Sequence, residues 1–206
     1  MDWNSILSNA FRSGISQQAI IFALAAIGLN LHFGYTGLLN FGQVAFMAAG
    51  AYGVGITTDT LGAPLWFGII VGLLAGVVLG ILLGLPTLRL RADYLAIVTI
   101  AVGEIIRLVV RAATLSDITG GSNGINGFAN SFQDWNPFNN DATYGFRLFD
   151  RINLEFSGAD IWELTVGWGL VLLSVLLVWK LVNSPWGRVL RSIREDEDAA
   201  TALGKN

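Results

Sequence analysis

The stretch from Ser13 to Leu88 contains one charged side chain, Asp59, and one histidine, His32. A soluble domain needs charged and polar side chains over its surface to stay dispersed, and no soluble fold hides so long an uncharged stretch from water. Charged residues make up only 13% of the whole chain, against roughly 25% in an ordinary soluble domain. The sequence therefore predicts an integral membrane protein.

Five apolar stretches reach or approach the length of about 20 residues that a membrane-spanning helix needs. They are Ile15–Leu31, Leu38–Ile56, Pro64–Leu85, Tyr94–Val110 and Trp162–Val182. Since backbone groups must be satisfied inside the bilayer, each stretch predicts a helix. The second stretch contains Asn40 and Gln43, so it is predicted either to span or to re-enter as a broken helix. The fold class is therefore all-α, a polytopic transmembrane protein with about five membrane segments.

The basic residues predict the orientation. Six of the twelve follow the third or the fifth stretch: Arg89, Arg91, Arg188, Arg191, Arg194 and Lys205. Two crossings separate these groups, so they share a side, which the positive-inside rule makes the cytoplasm. The mainly acidic loop 112–161 is then extracytoplasmic, and so is the N-terminus. A re-entrant second stretch would reverse only the N-terminus.

Glycines recur at every fourth position of the third stretch, at Gly68, Gly72, Gly76, Gly80 and Gly84. Glycine weakens a helix in water, so a regular row predicts that a neighbouring helix approaches closely, as in GxxxG pairs. This helix-packing row is interpreted as a fixed seam or, on a sharper hypothesis, as a moving interface.

Uncharged polar groups in apolar surroundings predict a substrate path, for which Asn40 and Gln43 are the first candidates. Broken helices expose backbone groups that bind small zwitterions. The alternative is hydrogen bonding between helices. Glu104 is a third candidate because ionisable groups within a span are often functional. The alternative is an ion pair with Arg107, three residues further along the same helix.

The sequence lacks the residue sets that several kinds of chemistry require. There is no nucleophile–base set, no GxxxxGK[ST] phosphate loop and no carboxylate–histidine metal cluster. A net charge of −3 argues against nucleic acid as a partner. The sequence therefore predicts no enzyme, no cofactor, no metal site and no nucleic-acid partner.

The end of the chain predicts a cytoplasmic helix in which small alanines allow a partner to approach, or else an ordinary solvated helix. Its last segment, Asp198-Ala199-Ala200-Thr201-Ala202-Leu203-Gly204, resembles the EAA loop of ABC-importer permeases, with Asp in place of Glu. Three further segments resemble LivM-type permeases of branched-chain amino acid ABC transporters, in the family's order. These are Gly28–Leu31 together with Gly34–Gln43, then Asp93–Thr99, and then Thr119–Ile125.

The resemblance implies an ABC-importer permease fold and a permease subunit of an importer for branched-chain amino acids. It implies as partners two cytoplasmic ATP-binding subunits, a second permease subunit and an extracytoplasmic substrate-binding protein, in a bacterial or archaeal cell (inner) membrane. The EAA-like residues would couple ATPase closure to the spans within the cytoplasmic segment 183–206. They are Asp198, Ala199, Ala200 and Gly204.

Two alternatives stay open for the function. Permeases for urea or short amides belong to the same broad family, and an ion-coupled secondary carrier would use a membrane-embedded carboxylate, for which Glu104 is the candidate. Family members continue past the EAA loop with further spans. We therefore expect the single permease domain, residues 1–206, to be incomplete at its C-terminus, either as a truncated product or fragment or with the remainder supplied by another chain.

Overall fold

The structure is a computed structural model that describes residues 3–87, 92–140, 142–148, 152–196, 200 and 202. Its long elements are helices. In chain order they are α1 (Trp3–Ile15), α2 (Gln17–Asn30) with a π-helical turn over Leu31–Thr36, α3 (Gln43–Gly55) with a π-helical turn over Ile56–Thr60, α4 (Leu65–Thr87), α5 (Ala92–Val110), the short α6 (Ser116–Thr119) and α7 (Asn130–Gln133), α8 (Gly158–Val182) and α9 (Pro185–Glu195).

Within the described residues, three helices are long and apolar enough to cross a membrane, at Gln17–Thr36, Leu65–Pro86 and Gly158–Val182. They coincide with the first, third and fifth predicted stretches, and the all-α class is confirmed. The second and fourth stretches form helices with weaker spanning character. The α-helical part of α3 has 13 residues and is about 20 Å long, which is short of a hydrocarbon core of about 30 Å. Glu104 and Arg107 make α5 less apolar.

Contacts between helices fix their relative directions. Helices α2 and α8 are parallel, because the Gln17 amide donates to Glu163 near their starts and Ile20 packs on Gly167 one turn further along. Helices α3 and α4 are antiparallel, since Phe46 lies over Gly80 while a side chain on Gly53 would meet Gly72.

The bundle therefore has two distinguishable ends. At one end α2 and α8 begin and the chain forms an antiparallel hairpin, β1 (Thr143–Leu148) and β2 (Ile152–Ser157). At the other end both helices finish and α9 packs against the π-helical turn of α2. We call these the hairpin end and the α9 end.

The hairpin and α1 are elements that the sequence analysis did not predict. The polar–apolar alternation from Asn153 to Ser157 has the period of a half-exposed strand, but the stretch is too short to stand out beside long helices. Helix α1 lies against β2, with the Arg12 guanidinium 5.8 Å from the centre of the Phe156 ring.

Helix α8 begins at Gly158, earlier than the predicted Trp162. A capping box explains this start, because the Ser157 hydroxyl accepts from the Asp160 backbone N–H and the Asp160 carboxylate accepts from the Ser157 N–H. The loop expected over 112–161 therefore ends with β2, and its last residues belong to the helix.

Candidate functional site

The break between α2 and α3 is the polar centre of the α9 end. Gly37 closes the π-helical turn with φ of 72°, a left-handed conformation that suits glycine. The Asn40 amide then bridges the break, with its Nδ2 3.1 Å from Nδ1 of His32 and its Oδ1 accepting from the Gly42 N–H at 2.9 Å. Asn40 thus replaces backbone hydrogen bonds that the interrupted helix lacks.

Thr99 attaches this break to α5. Its hydroxyl accepts from the Phe41 N–H at 3.1 Å and donates to the Ala96 carbonyl at 2.9 Å, and the side chain is buried. The Thr99 Cβ also lies 3.1 Å from where a Cβ on Gly42 would stand. The backbone of the break therefore packs directly onto α5.

Gln43 is the first residue of α3 and is half-buried between α3 and α2. Its Nε2 lies 2.6 Å from the position that a Cβ on Gly28 would take. The glycine therefore makes room for the amide. Asn40 and Gln43, two of the three predicted substrate-path residues, lie at the same break in the helical path.

Glu104, the third predicted substrate-path residue, lies on an exposed face of α5. It forms the ion pair that the sequence analysis gave as its alternative role. Arg107 donates to it from Nη2 at 2.5 Å and from Nε at 2.8 Å. The two side chains are 53% and 49% exposed. Among the described residues, no hydrogen bond or ion pair joins Glu104 to Asn40 or Gln43.

Helix α9 leads towards the EAA-like segment and contacts the same break. The Arg194 Nη1 donates to the Gly34 carbonyl at 2.6 Å, and the Arg194 Cγ lies 3.0 Å from the Cβ position of Gly37. Arg191 donates to the Val182 carbonyl at 3.0 Å, which fixes α9 to the end of α8. Hydrogen bonds from charged donors are stronger than neutral ones, so both arginines hold α9 firmly in place.

Of the predicted coupling residues, Ala200 is buried, and its N–H donates to the Asp196 carbonyl at 3.0 Å. Asp198, Ala199 and Gly204 lie outside the described residues.

The glycine row divides into two kinds of position. A Cβ on Gly72 would lie 2.7 Å from the Gly50 carbonyl, and one on Gly68 would lie 3.3 Å from the Val54 carbonyl, so α3 and α4 approach almost backbone to backbone here. Gly80 is in looser contact with Phe46 at 3.7 Å. A Cβ on Gly76 or Gly84 would meet nothing within 4 Å.

A glycine-rich loop packs on the C-terminal end of α3. Thr119 is buried, donates to the Val110 carbonyl at 2.8 Å and accepts from the Gly121 N–H at 3.2 Å. Ile125 then reaches Gly55, whose Cβ position lies 3.1 Å from Ile125 Cδ1. The loop is thereby packed onto the helices.

Sequence reasoning missed His32, Thr99 and Arg194 as parts of the site at the break. Thr99 lies in a segment that resembles the permease family, but spacing along the chain does not reveal which residue it contacts. The only local signal for His32 is the glycine-rich turn that separates it from Asn40.

The family described as "Branched-chain amino acid transport system / permease component" matches residues 11–206. The high-affinity branched-chain amino acid transport system permease protein LivM of Escherichia coli is 36% identical over 194 residues, covering 92% of this chain and 45% of that protein. The Salmonella typhimurium protein of the same name is 35% identical over 202 residues, with the same coverage. A probable branched-chain amino acid transport permease protein LivM of Methanocaldococcus jannaschii is 28% identical over 224 residues, covering 90% and 57%.

The chain spans about half the length of the curated relatives that it matches. No solved structure matches it.

Proposed function

The chain belongs to the family of branched-chain amino acid transport permease components, and from that membership we propose that it is a transmembrane permease subunit of an ATP-binding cassette importer for branched-chain amino acids. The observation that carries the proposal is the family match over residues 11–206. The three apolar helices support it, because a permease must line a path through the bilayer. In this proposal the chain supplies the path, and the ATP-binding subunits supply the catalytic chemistry.

The substrate path in this proposal passes the break between α2 and α3. Asn40 and Gln43 present amide groups there, beside backbone groups of the non-helical residues 37–42. A zwitterionic amino acid has one end that accepts and one that donates hydrogen bonds, and both kinds of partner are present at such a break. Glu104 remains a candidate of lower rank, because among the described residues no hydrogen bond or ion pair joins it to the break and Arg107 occupies both of its carboxylate oxygens.

That ion pair also favours an importer over an ion-coupled carrier. A coupling carboxylate must be free to take up and release a proton or a metal cation in each cycle. The bidentate contact with Arg107 occupies both carboxylate oxygens of Glu104. A carrier that relied on Glu104 would have to break this pair at every turnover.

The ATP-binding subunits would act on the permease at its α9 end. We place the cytoplasmic ATP-binding subunits on the segment with Asp198, Ala199, Ala200 and Gly204, which follows α9 directly. The Arg194–Gly34 hydrogen bond supports a route from α9 to the break, since any displacement of α9 acts on the π-helical turn of α2. The proposal places a second permease subunit beside this one in the cell (inner) membrane. It places the substrate-binding protein at the extracytoplasmic hairpin end.

The test is transport by the intact transporter, purified from its host membrane through a tag on this chain and reconstituted in proteoliposomes. We expect uptake of labelled leucine that requires ATP on the cytoplasmic side and a substrate-binding protein on the other. An ionophore that collapses ion gradients is the control and should leave uptake unchanged. Uptake driven by an ion gradient without ATP would overturn the proposal. Uptake of urea in place of leucine would assign the chain to the related amide permeases.

A further inference from the structure

A groove opens at the hairpin end, where α1 meets α2. Its volume is about 440 Å³, and its walls come from three parts of the chain. Arg12 and Gln17 line it from the α1–α2 corner, Phe156 from β2, and Asp160 and Leu164 from α8. An adjoining hollow of about 560 Å³ shares Arg12 and continues along α2 to Phe22.

The two walls carry opposite charges that do not pair with each other. Arg12 stands over the Phe156 ring, and Asp160 caps the start of α8. Both side chains are described, and the ion pair found within 4.0 Å among the described residues joins Arg107 to Glu104 instead. The lining therefore offers a cation and an anion that do not pair with each other, which is complementary to a zwitterion that carries its two charges on different groups.

Apolar surface continues from the groove along the outside of the bundle. Ile21 and Phe22, in the second turn of α2, are 48% and 64% exposed. Since α2 and α8 both begin beside the groove, its polar groups lie at the depth where the spans leave the hydrocarbon. Helix α1 exposes Leu7 and Phe11 and carries charge at Arg12, as interfacial helices do.

We propose that this groove binds a zwitterionic phospholipid whose headgroup carries a primary ammonium. The phosphate lies against Arg12, the ammonium against Asp160, and the acyl chains follow Ile21 and Phe22. A free amino acid would satisfy the two charges and leave the apolar surface below them uncovered. A primary ammonium donates hydrogen bonds to a carboxylate, whereas a choline group has no N–H to donate.

Native mass spectrometry of the full chain in detergent tests this on the unaltered protein. Phosphatidylethanolamine, phosphatidylcholine and phosphatidylglycerol with identical acyl chains are added in turn. We expect phosphatidylethanolamine to be retained roughly tenfold more than either of the others, about the effect of one charge-assisted contact. Equal retention of the three lipids would overturn the proposal. So would displacement of the lipid by free leucine, which would reassign the groove to a small solute.

Two variants and a control assign the charges. Arg12→Gln should weaken retention of phosphatidylethanolamine and phosphatidylcholine alike. Asp160→Asn keeps an oxygen that caps α8 and should abolish the preference between those two lipids. Arg111→Gln removes the same charge at the C-terminal end of α5, outside the lining of the groove. If Arg111→Gln weakens retention as much as Arg12→Gln does, the binding is a general charge effect and the proposed site is wrong.

Discussion

Arg194 joins two parts of the chain that are 160 positions apart in sequence, because its guanidinium donates to the Gly34 carbonyl. The last carbonyls of a helix lack partners within the helix, and a cation there also interacts favourably with the helix dipole. Gly34 lies in the final turn of the first span, so Arg194 serves it in both ways. The unpartnered carbonyl and the helix dipole both belong to the end of the first span. The sequence around Arg194 therefore did not reveal its partner.

Replacing Arg194 should loosen the α9 end. We expect Arg194→Ala to lower the free energy of unfolding by about 1 kcal/mol, because solvent weakens a hydrogen bond whose charged donor is exposed. The measurement is the denaturation midpoint of the purified chain in detergent. Arg188→Ala is the matched control, since Arg188 is exposed on the same helix, as Arg194 is, but its side chain makes no hydrogen bond among the described residues, and it should change the midpoint little. Equal effects would show that charge alone is responsible.

Thr99 permits a sharper test, because its side chain can be replaced by one of nearly the same shape. Thr99→Val leaves the Phe41 N–H without its acceptor, and an unsatisfied donor at this half-buried position costs about 1–3 kcal/mol. Thr99→Ser keeps the hydroxyl and should recover most of the loss. Thr114→Val, at an exposed threonine, controls for the change in polarity. If valine at position 99 is as stable as threonine, the hydroxyl does not hold the break.

At the scale of elements, the α3–α4 contact shows how far a sequence pattern extends into structure. The regular spacing of the row predicts a close approach along the whole helix, yet Gly68 and Gly72 lie against α3 and Gly76 does not. Two helices that cross at an angle diverge away from their contact point, so a regular row extends beyond the contact. The crossing point is a property of both helices together.

The two kinds of glycine in α4 make a matched pair for mutation. Gly72→Ala would place a Cβ 2.7 Å from the Gly50 carbonyl, so the helices must separate, at a cost of about 1–3 kcal/mol. Gly76→Ala adds the same methyl group where nothing lies within 4 Å, and should be neutral or slightly stabilising. Thermal denaturation of both variants in the same detergent compares them. Equal stability of the two would contradict the close approach at Gly72.

At the scale of the whole molecule, hydropathy predicted the three longest apolar helices and the all-α class, because a bilayer imposes the length and polarity of each span. The hairpin, α1 and the early start of α8 were missed. They are short or polar elements, about which hydropathy carries little information. The pairing of His32 with Asn40, and of Arg194 with Gly34, depends on the tertiary fold. Spacing along a single sequence does not show which residues come into contact.

The coupling role proposed for Gly204 can be tested in the assembled transporter. Gly204→Trp in the purified complex should abolish ATP-driven leucine uptake while the chain stays in the membrane, because a bulky side chain obstructs the close docking proposed for this segment. Asn206→Trp, two positions further on, is the control and should retain most of the uptake. ATP hydrolysis measured alongside should continue in the Gly204 variant. Normal uptake by that variant would argue against docking at Gly204.

The parallel pair α2 and α8 is braced at both ends, by Gln17 and Glu163 at the hairpin end and by Arg191 and Arg194 on α9 at the other. In mechanical terms the pair is a stiff beam. The six residues between Thr36 and Gln43 lie outside the helical hydrogen-bond ladder, and side-chain hydrogen bonds of Asn40 and Thr99 hold them instead. We therefore expect a displacement of α9 to pass along the beam and reach α3 and α5 through these few bonds.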